Sequence, residues 1–457
     1  MPHFDENVHC IPLDAGIDLR ARLQTEHKLR TPSEPWWGDN GDDNPVVPHL
    51  RTATPIPSVD GKPRRRVIDL TQRKAQRMAA AANTPAVRTE RYRAFRAITD
   101  SIRRVARAVG LVKDQNAVYT PGSGLQFDPA SMEDREYALD EVYGVKSNLG
   151  LNYARTGRSP RVVITGDNHK RIVTVLGGFP SDQGFMADVR RATQACDEIA
   201  PTVLLSEDEA ARGSSPRVSG GLGLVEGEGR MQAPKGKSIV LDALAFATLF
   251  SIPAIQRVAG YATCLMQHFA LHVFHSFNNA LDAYEDHYNH RERPVWCSPF
   301  AAATFLLGPR CLNFLDNDLT WGWAALTALG TYNPDKGGQI ILWDLNLMVH
   351  FPPGTTILLP RSLIRYSFVE IAPGETRYCL IQHTPAPVFH FTENGNRTDP
   401  QFAATATEQE HAAREEQRAA RKNGDLALNM LVTLEDLDDS DYVFHLPPRS
   451  PSPGSDW

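Results

Sequence analysis

Apolar residues recur at steps of three and four in two stretches of the chain and gather in short runs elsewhere. Tyr92, Phe95, Ile98, Ile102 and Val105 keep that spacing across 89–109, which places them on one face of an α-helix. A second stripe, Ile255, Val258, Ala262, Leu265, Phe269, Val273 and Phe277, predicts a single long helix over 253–288. Apolar runs at 161–165 and 171–178 predict a β-hairpin, followed by a helix over 183–199. From 301 to 394 the pattern changes to short β-runs at 339–343, 348–351, 355–359, 362–371 and 377–383. The segments Pro334-Asp335-Lys336-Gly337-Gly338, Pro352-Pro353-Gly354 and Ala372-Pro373-Gly374 supply turns between them. Several short strands at such close spacing predict a β-sandwich or barrel. Residues 406–422 predict an exposed charged helix. The fold class expected is α+β.

The stretches without periodicity read as loops. Residues 1–60 are rich in Pro, Asp and Gly, and residues 206–238 in Gly and Ser, so both are expected to lack regular structure. Gly220-Gly221-Leu222-Gly223 is no phosphate cradle, because no Gly-Lys-Ser/Thr follows it. The chain ends in an acidic, Ser/Pro-rich tail with Glu435, Asp436, Asp438, Asp439 and Asp441.

Composition narrows the classes. Hydrophobic residues make up 42% of 457 residues, enough for a sizeable core. Six cysteines stand far apart with no CxxC pair, which excludes a zinc ribbon and a dense disulfide framework. The N-terminus has no apolar core of the kind a secretion signal needs. His268, His272 and His275 interrupt the best candidate for a membrane span. An intracellular, nuclear protein without a membrane role is expected. The three histidines have helical spacing, yet no acidic helper stands among them as in HExxH proteins, and they read as polar positions beside a buried face.

Charge is uneven. Residues 51–113 hold sixteen Lys/Arg against four Asp/Glu, and Arg93, Arg96, Arg103, Arg104 and Arg107 share the polar face of the helix at 89–109. That face is either solvated or a phosphate-contacting surface for nucleic acid.

Candidate chemistry lies in the β-rich segment. Gly322-Trp323-Ala324-Ala325-Leu326-Thr327-Ala328-Leu329-Gly330 opens a series of motifs that continues through Gly337-Gly338-Gln339-Ile340-Ile341-Leu342-Trp343-Asp344-Leu345. Phe351-Pro352-Pro353-Gly354-Thr355-Thr356-Ile357-Leu358-Leu359-Pro360 and Gly374-Glu375-Thr376-Arg377-Tyr378 follow in the same order. Upstream stand Val258-Ala259-Gly260-Tyr261 and Pro299-Phe300-Ala301-Ala302-Ala303-Thr304-Phe305. Together these resemble the fungal (basidiomycete) TET/JBP-like 2-oxoglutarate/Fe(II)-dependent dioxygenases over about 168–398, most densely over 299–398. The resemblance implies a double-stranded β-helix (jelly-roll, cupin-like) core with flanking helices and disordered ends. It divides the chain into a disordered segment 1–60, a basic helical region 61–160, a dioxygenase-like domain 161–398 with its β-helix core at 299–395, and a charged helix with an acidic tail at 399–457.

In that family Fe(II) is held by a His-x-Asp pair and a distal His, three ligands that leave positions open for 2-oxoglutarate and oxygen. An Arg pairs with the far carboxylate of 2-oxoglutarate, for which its fork geometry is suited. By resemblance Arg377 is the cofactor-binding residue, eleven residues after Tyr366. Tyr366 takes the place of the distal His. The His-x-Asp pair should fall between Gly308 and Gly322, where there is no His. Depending on gap placement, the first His becomes Asn313 or Phe314, and the Asp becomes Leu315 or is kept as Asp316. Asp316 and Tyr366 are thus the candidate metal ligands, with no catalytic residue assigned. A phenol with an ordinary pKa near 10 is a poor ligand for Fe(II) at neutral pH. His350 and His383 are the conceivable replacements. Three functions remain in competition: a degenerate, non-catalytic nucleic-acid-binding or scaffolding homologue; an active dioxygenase acting on methylated bases through non-standard ligands; and a protein-interaction module.

Overall fold

The structure is a computed structural model that describes residues 8–12, 137–143, 151–154, 162–166, 171–180, 184–205, 215–222, 239–287, 293–295, 298–308, 322–345, 347–361, 364–422, 428–433 and 436. Two stacked β-sheets with helices around them make a mixed α+β fold. The strands are β1 (Val8–Pro12), β2 (Asn152–Ala154), β3 (Val162–Gly166), β4 (Ile172–Leu176), β5 (Arg217–Gly221) and β6 (Ala302–Leu306). They continue with β7 (Trp323–Thr331), β8 (Ile340–Leu342), β9 (Leu347–Val349), β10 (Thr356–Pro360), β11 (Tyr366–Phe368) and β12 (Thr376–His383). The larger sheet has the order β1-β3-β4-β10-β7-β12-β6-β5 and the smaller β11-β8-β9-β2. From β7 onward the chain alternates between them: β8 and β9 lie in the smaller sheet, β10 returns to the larger, β11 crosses again and β12 returns.

Pleating decides which side chains share the interior, because neighbours along a strand point to opposite faces. On the smaller sheet, Ile340, Leu342, Leu347, Val349, Tyr366 and Phe368 join the main core. Their alternates Ile341, Met348 and Val369 join a separate cluster with Tyr137, Val142, Leu151 and Trp343. On the larger sheet Tyr378 points outward and donates a hydrogen bond to Asp197 at 2.7 Å, so Arg377, Cys379, Ile381 and His383 point inward.

The helices are α1 (Leu139–Val142), α2 (Phe185–Ile199), α3 (Ile239–Phe250), α4 (Pro253–Phe269), α5 (Leu271–His287), α6 (Ala386–Glu393), α7 (Asp399–Thr405) and α8 (Glu408–Lys422). α2 and α4 cover the outer face of the larger sheet. The Thr193 hydroxyl of α2 accepts a hydrogen bond from the Gly330 amide at 3.0 Å, and Tyr261 of α4 donates to the Gly177 carbonyl at 2.5 Å. Among the described residues no single helix is long and apolar enough to cross a membrane; α3 and α4 pass that test only as a pair bent by 83°.

Four expectations change. The long helix over 253–288 is two helices: Ala270 leaves the helical conformation at φ −138° and ψ 49°, and its carbonyl starts α5 by accepting from the Phe274 amide. The break also parts His268 on α4 from His272 and His275 on α5. The loop expected at 206–238 contains β5, antiparallel to β6. Gly220 lies so close to Phe246 of α3 that a Cβ there would meet the ring at 2.5 Å; the glycines that suggested a loop let a helix lie on an edge strand. In 1–60, β1 pairs in parallel with β3. Residues ahead of 161 also join the smaller sheet, since β2 pairs in parallel with β9. The hairpin of β3 and β4, the helix at α2, the strands over 340–383 and the helix at α8 fall where their patterns predicted. The expected helix at 89–109, and the whole of 51–113, lie outside the described residues.

Candidate functional site

Tyr366 and Arg377 meet the same interior element. Tyr366 opens β11, in register with Leu342 of β8, and is fully buried. Two residues on, Phe368 points the same way, its ring edge-on to that of Tyr366 at 6.1 Å and parallel to that of Phe351 at 6.0 Å. The Arg377 guanidinium carbon lies 4.0 Å from the centroid of the Phe368 ring, and the residue is 2% exposed. Gly330, its partner on β7, has φ +115°, and a Cβ there would come within 2.8 Å of the Arg377 Cα. Only glycine lets the two strands approach so closely at this row. Tyr332 closes the same end of the interior by donating a hydrogen bond to the Phe351 carbonyl. Burial pushes its phenol pKa up, while the Arg377 charge pulls the other way without overcoming it. The Phe368 ring thus covers one face of the buried guanidinium. A cation over a ring face is attracted by the ring quadrupole, by about 2 kcal/mol when desolvated.

Asp316 lies outside the described residues. The two replacement histidines do not gather at Tyr366 and Arg377. His350 follows β9, where Leu347 is in register with Leu342 and Leu342 with Tyr366. It therefore stands three residues along and two strands across from Tyr366, on the order of 14 Å between Cα atoms. Its Nε2 sits 3.5 Å from the Asp335 carboxylate instead. His383 shares the inward face with Arg377 but is six residues further along β12, about 20 Å away. Burial, then the neighbouring Arg361 charge, hold its imidazole well below the ordinary histidine pKa.

The trio His268, His272 and His275 is no better placed. Burial alone lowers the His268 pKa to about 4, while His272 lies 3.4 Å from the Asn429 carbonyl. Among the described residues no three His, Cys, Asp or Glu side chains come together as a metal would require. Among the described residues, the candidate donor beside Phe368 and Arg377 is the Tyr366 phenol, and a single phenol does not by itself make an Fe(II) site. Arg377 has the chemistry to bind a carboxylate, but Phe368 lies against it.

What the sequence did not disclose is Phe368. It stands two residues from Tyr366, a spacing that puts both on one face of a strand, and that is the one signal available. Its meeting with Arg377 joins two sheets and has no local signature.

No family model matches the chain, and no curated protein matches it. Among solved structures, NgTET1 in complex with 5mC DNA is similar at a TM-score of 0.33 and 12% identity, over 51% of this chain and 82% of that one. That degree of likeness assigns neither a family nor an activity.

Proposed function

We propose that this chain is a double-stranded β-helix of the 2-oxoglutarate/Fe(II) dioxygenase type whose reaction centre has become packing core, and that it acts as a non-catalytic nucleic-acid-binding or scaffolding protein in the nucleus. The strand order supports the fold reading. The larger sheet runs β10-β7-β12-β6 while the smaller runs β11-β8-β9, and such alternation between facing sheets is how a jelly roll is wound. The observation behind the non-catalytic reading is that the Arg377 guanidinium carbon lies 4.0 Å over the buried Phe368 ring, with Tyr366 in the place that resemblance gives to an iron-ligand histidine.

Metal analysis tests it. Protein reconstituted with Fe(II) and desalted is expected to retain far less than one iron per chain, and stoichiometric retention overturns the reading. The nucleic-acid part rests on the basic stretch 51–113 and is tested by salt. Each phosphate neutralised on duplex DNA contributes about −0.9 to the slope of log affinity against log salt. Replacing Arg93, Arg96 and Arg103 by Ala is expected to flatten that slope by about two to three units with little change in sequence preference. An unchanged slope would favour scaffolding through protein contacts.

A further inference from the structure

We infer that Tyr143 and Tyr153, at the edge of the smaller sheet, form a stacking platform for the unpaired bases of a single-stranded nucleic acid. The inference rests on the nucleic-acid reading above and gives it a surface apart from 51–113. β2 is an edge strand of the smaller sheet, and its Tyr153 is in register with Met348 of β9. Met348 belongs to the cluster on the side of that sheet turned away from the main core, and Tyr153 packs against the same cluster. Just beyond α1, Tyr143 lays its ring beside that of Tyr153, with centroids 5.1 Å apart and planes inclined by 35°. The Tyr143 amide donates to the Leu139 carbonyl at 2.9 Å, which fixes the backbone that carries the ring. Tyr143 is nevertheless 45% exposed and is not a member of the cluster beneath it. Among the described residues Leu204 is the other large hydrophobic side chain left so open.

Charge selects the partner. Between Glu141 and Asp167 the sequence carries Lys146, Arg155, Arg158 and Arg161 and no Asp or Glu, so both tyrosines stand in a stretch of one sign. A polyanion is attracted to such a stretch. Flat rings interleaved with cations suit a strand whose phosphates alternate with flat bases, because every base has a face that stacks on an aromatic side chain. In a duplex those faces are already stacked on one another, so the unpaired strand is the form that gains. An acidic peptide answers the charge and leaves the open ring without a flat partner. Because Tyr153 is held in a strand and Tyr143 is held on Tyr153, little side-chain freedom is lost when a base arrives.

The experiment is fluorescence anisotropy of full-length protein with labelled oligothymidylate and oligouridylate of about twelve nucleotides. A duplex of equal length and polyglutamate as competitor are the controls. Wild type is expected to bind the single strands, the tighter of the two naming the sugar, and polyglutamate should displace them poorly. Tyr143→Ala is expected to weaken single-strand binding by about tenfold and duplex binding by less than about twofold. Tyr143→Trp should keep the affinity, because it keeps a face for stacking. Tyr143→Leu should lose as much as the alanine variant, and it serves if that variant does not fold. An unchanged affinity in Tyr143→Ala overturns the inference, as does a Tyr143→Leu that binds like wild type. Equal losses on duplex and single strand overturn it too, as does polyglutamate competing on equal terms. A wild-type dimer that Tyr143→Ala dissolves would assign the face to a second copy and overturn it as well. The nucleic-acid reading fails separately: strands that bind wild type and Tyr143→Ala alike leave that reading standing, whereas a wild type that binds no nucleic acid ends both.

Discussion

Two of the three buried arginines among the described residues, Arg293 and Arg377, have contrasting surroundings. Arg293, just beyond α5, is 8% exposed and is ringed by oxygen. It donates to both Glu285 carboxylate oxygens at 3.0 and 2.8 Å, to Asp282 at 2.5 Å, to Asn278 at 2.6 Å and to the Ser298 carbonyl at 2.9 Å. Burial works against its charge, and the Glu285 and Asp282 carboxylates more than offset that, so its pKa is raised overall. Arg377 is less exposed still, and its neighbours across the interior are Phe368 and Tyr332. The first arginine is a clamp whose donors are committed, and it fixes the chain entering β6. The Arg293 donors face oxygen, whereas one face of the Arg377 guanidinium meets an aromatic ring. Burial alone therefore does not describe the setting of an arginine; the chemistry of its surroundings does.

Methionine substitutions break the comparison most sharply. Arg293→Met leaves Glu285 and Asp282 facing each other without their cation. Removing one partner of a buried pair costs about 3–5 kcal/mol, to be read as a lowered urea midpoint. Phe368→Ala removes a fully buried ring and is expected to cost about 3 kcal/mol, with the thermal midpoint falling accordingly.

A histidine adds a pH response. His268 has a folded-state pKa of about 4 against an ordinary 6.5, so the unfolded chain takes up a proton that the folded chain refuses. Stability is then full above about pH 6.5 and falls as pH drops toward 4. At about 1.36 kcal/mol per unit the loss is on the order of 3 kcal/mol. His383 acts in the same direction. Denaturation between pH 7 and 4 should show this slope, and His268→Leu should reduce it to the His383 part; a slope unchanged in that variant would remove His268 from the account.

Arg377→Met is expected to have the smallest effect on stability, within about 2 kcal/mol in either direction. A methionine keeps the stem and continues an apolar enclosure, and replacing a buried charge by a hydrophobe of similar volume is often neutral. A loss as large as that of Arg293→Met would erase the difference between the two arginines.

The sequence disclosed this molecule unevenly. Strands over 340–383 were legible because apolar runs are cut by Pro/Gly turns at short intervals, and a turn is a local event. The break at Ala270 was not, because the apolar stripe from Ile255 to Phe277 continues across it with no Pro or Gly from 261 to 277. β5 was hidden by Gly220 and Gly221, which serve close packing against Phe246 and Ala302 as well as turning. The parallel pairing of β1 with β3 joins residues about 150 apart in sequence, beyond any local pattern. At the site, resemblance pointed to Tyr366 and Arg377, and both lie against Phe368. Phe368 itself could not be read, since cation–π contacts between sheets leave no periodicity.

Restoring one imidazole with Tyr366→His should restore no turnover, because the first His of the pair has no counterpart between Gly308 and Gly322. The measurement closest to the central claim is release of carbon dioxide from 2-oxoglutarate by wild-type protein supplied with Fe(II), oxygen and ascorbate. The account predicts no release above that of Fe(II) without protein. Sustained release that disappears in Arg377→Ala would contradict it, and would mean that Phe368 yields its place to a cosubstrate.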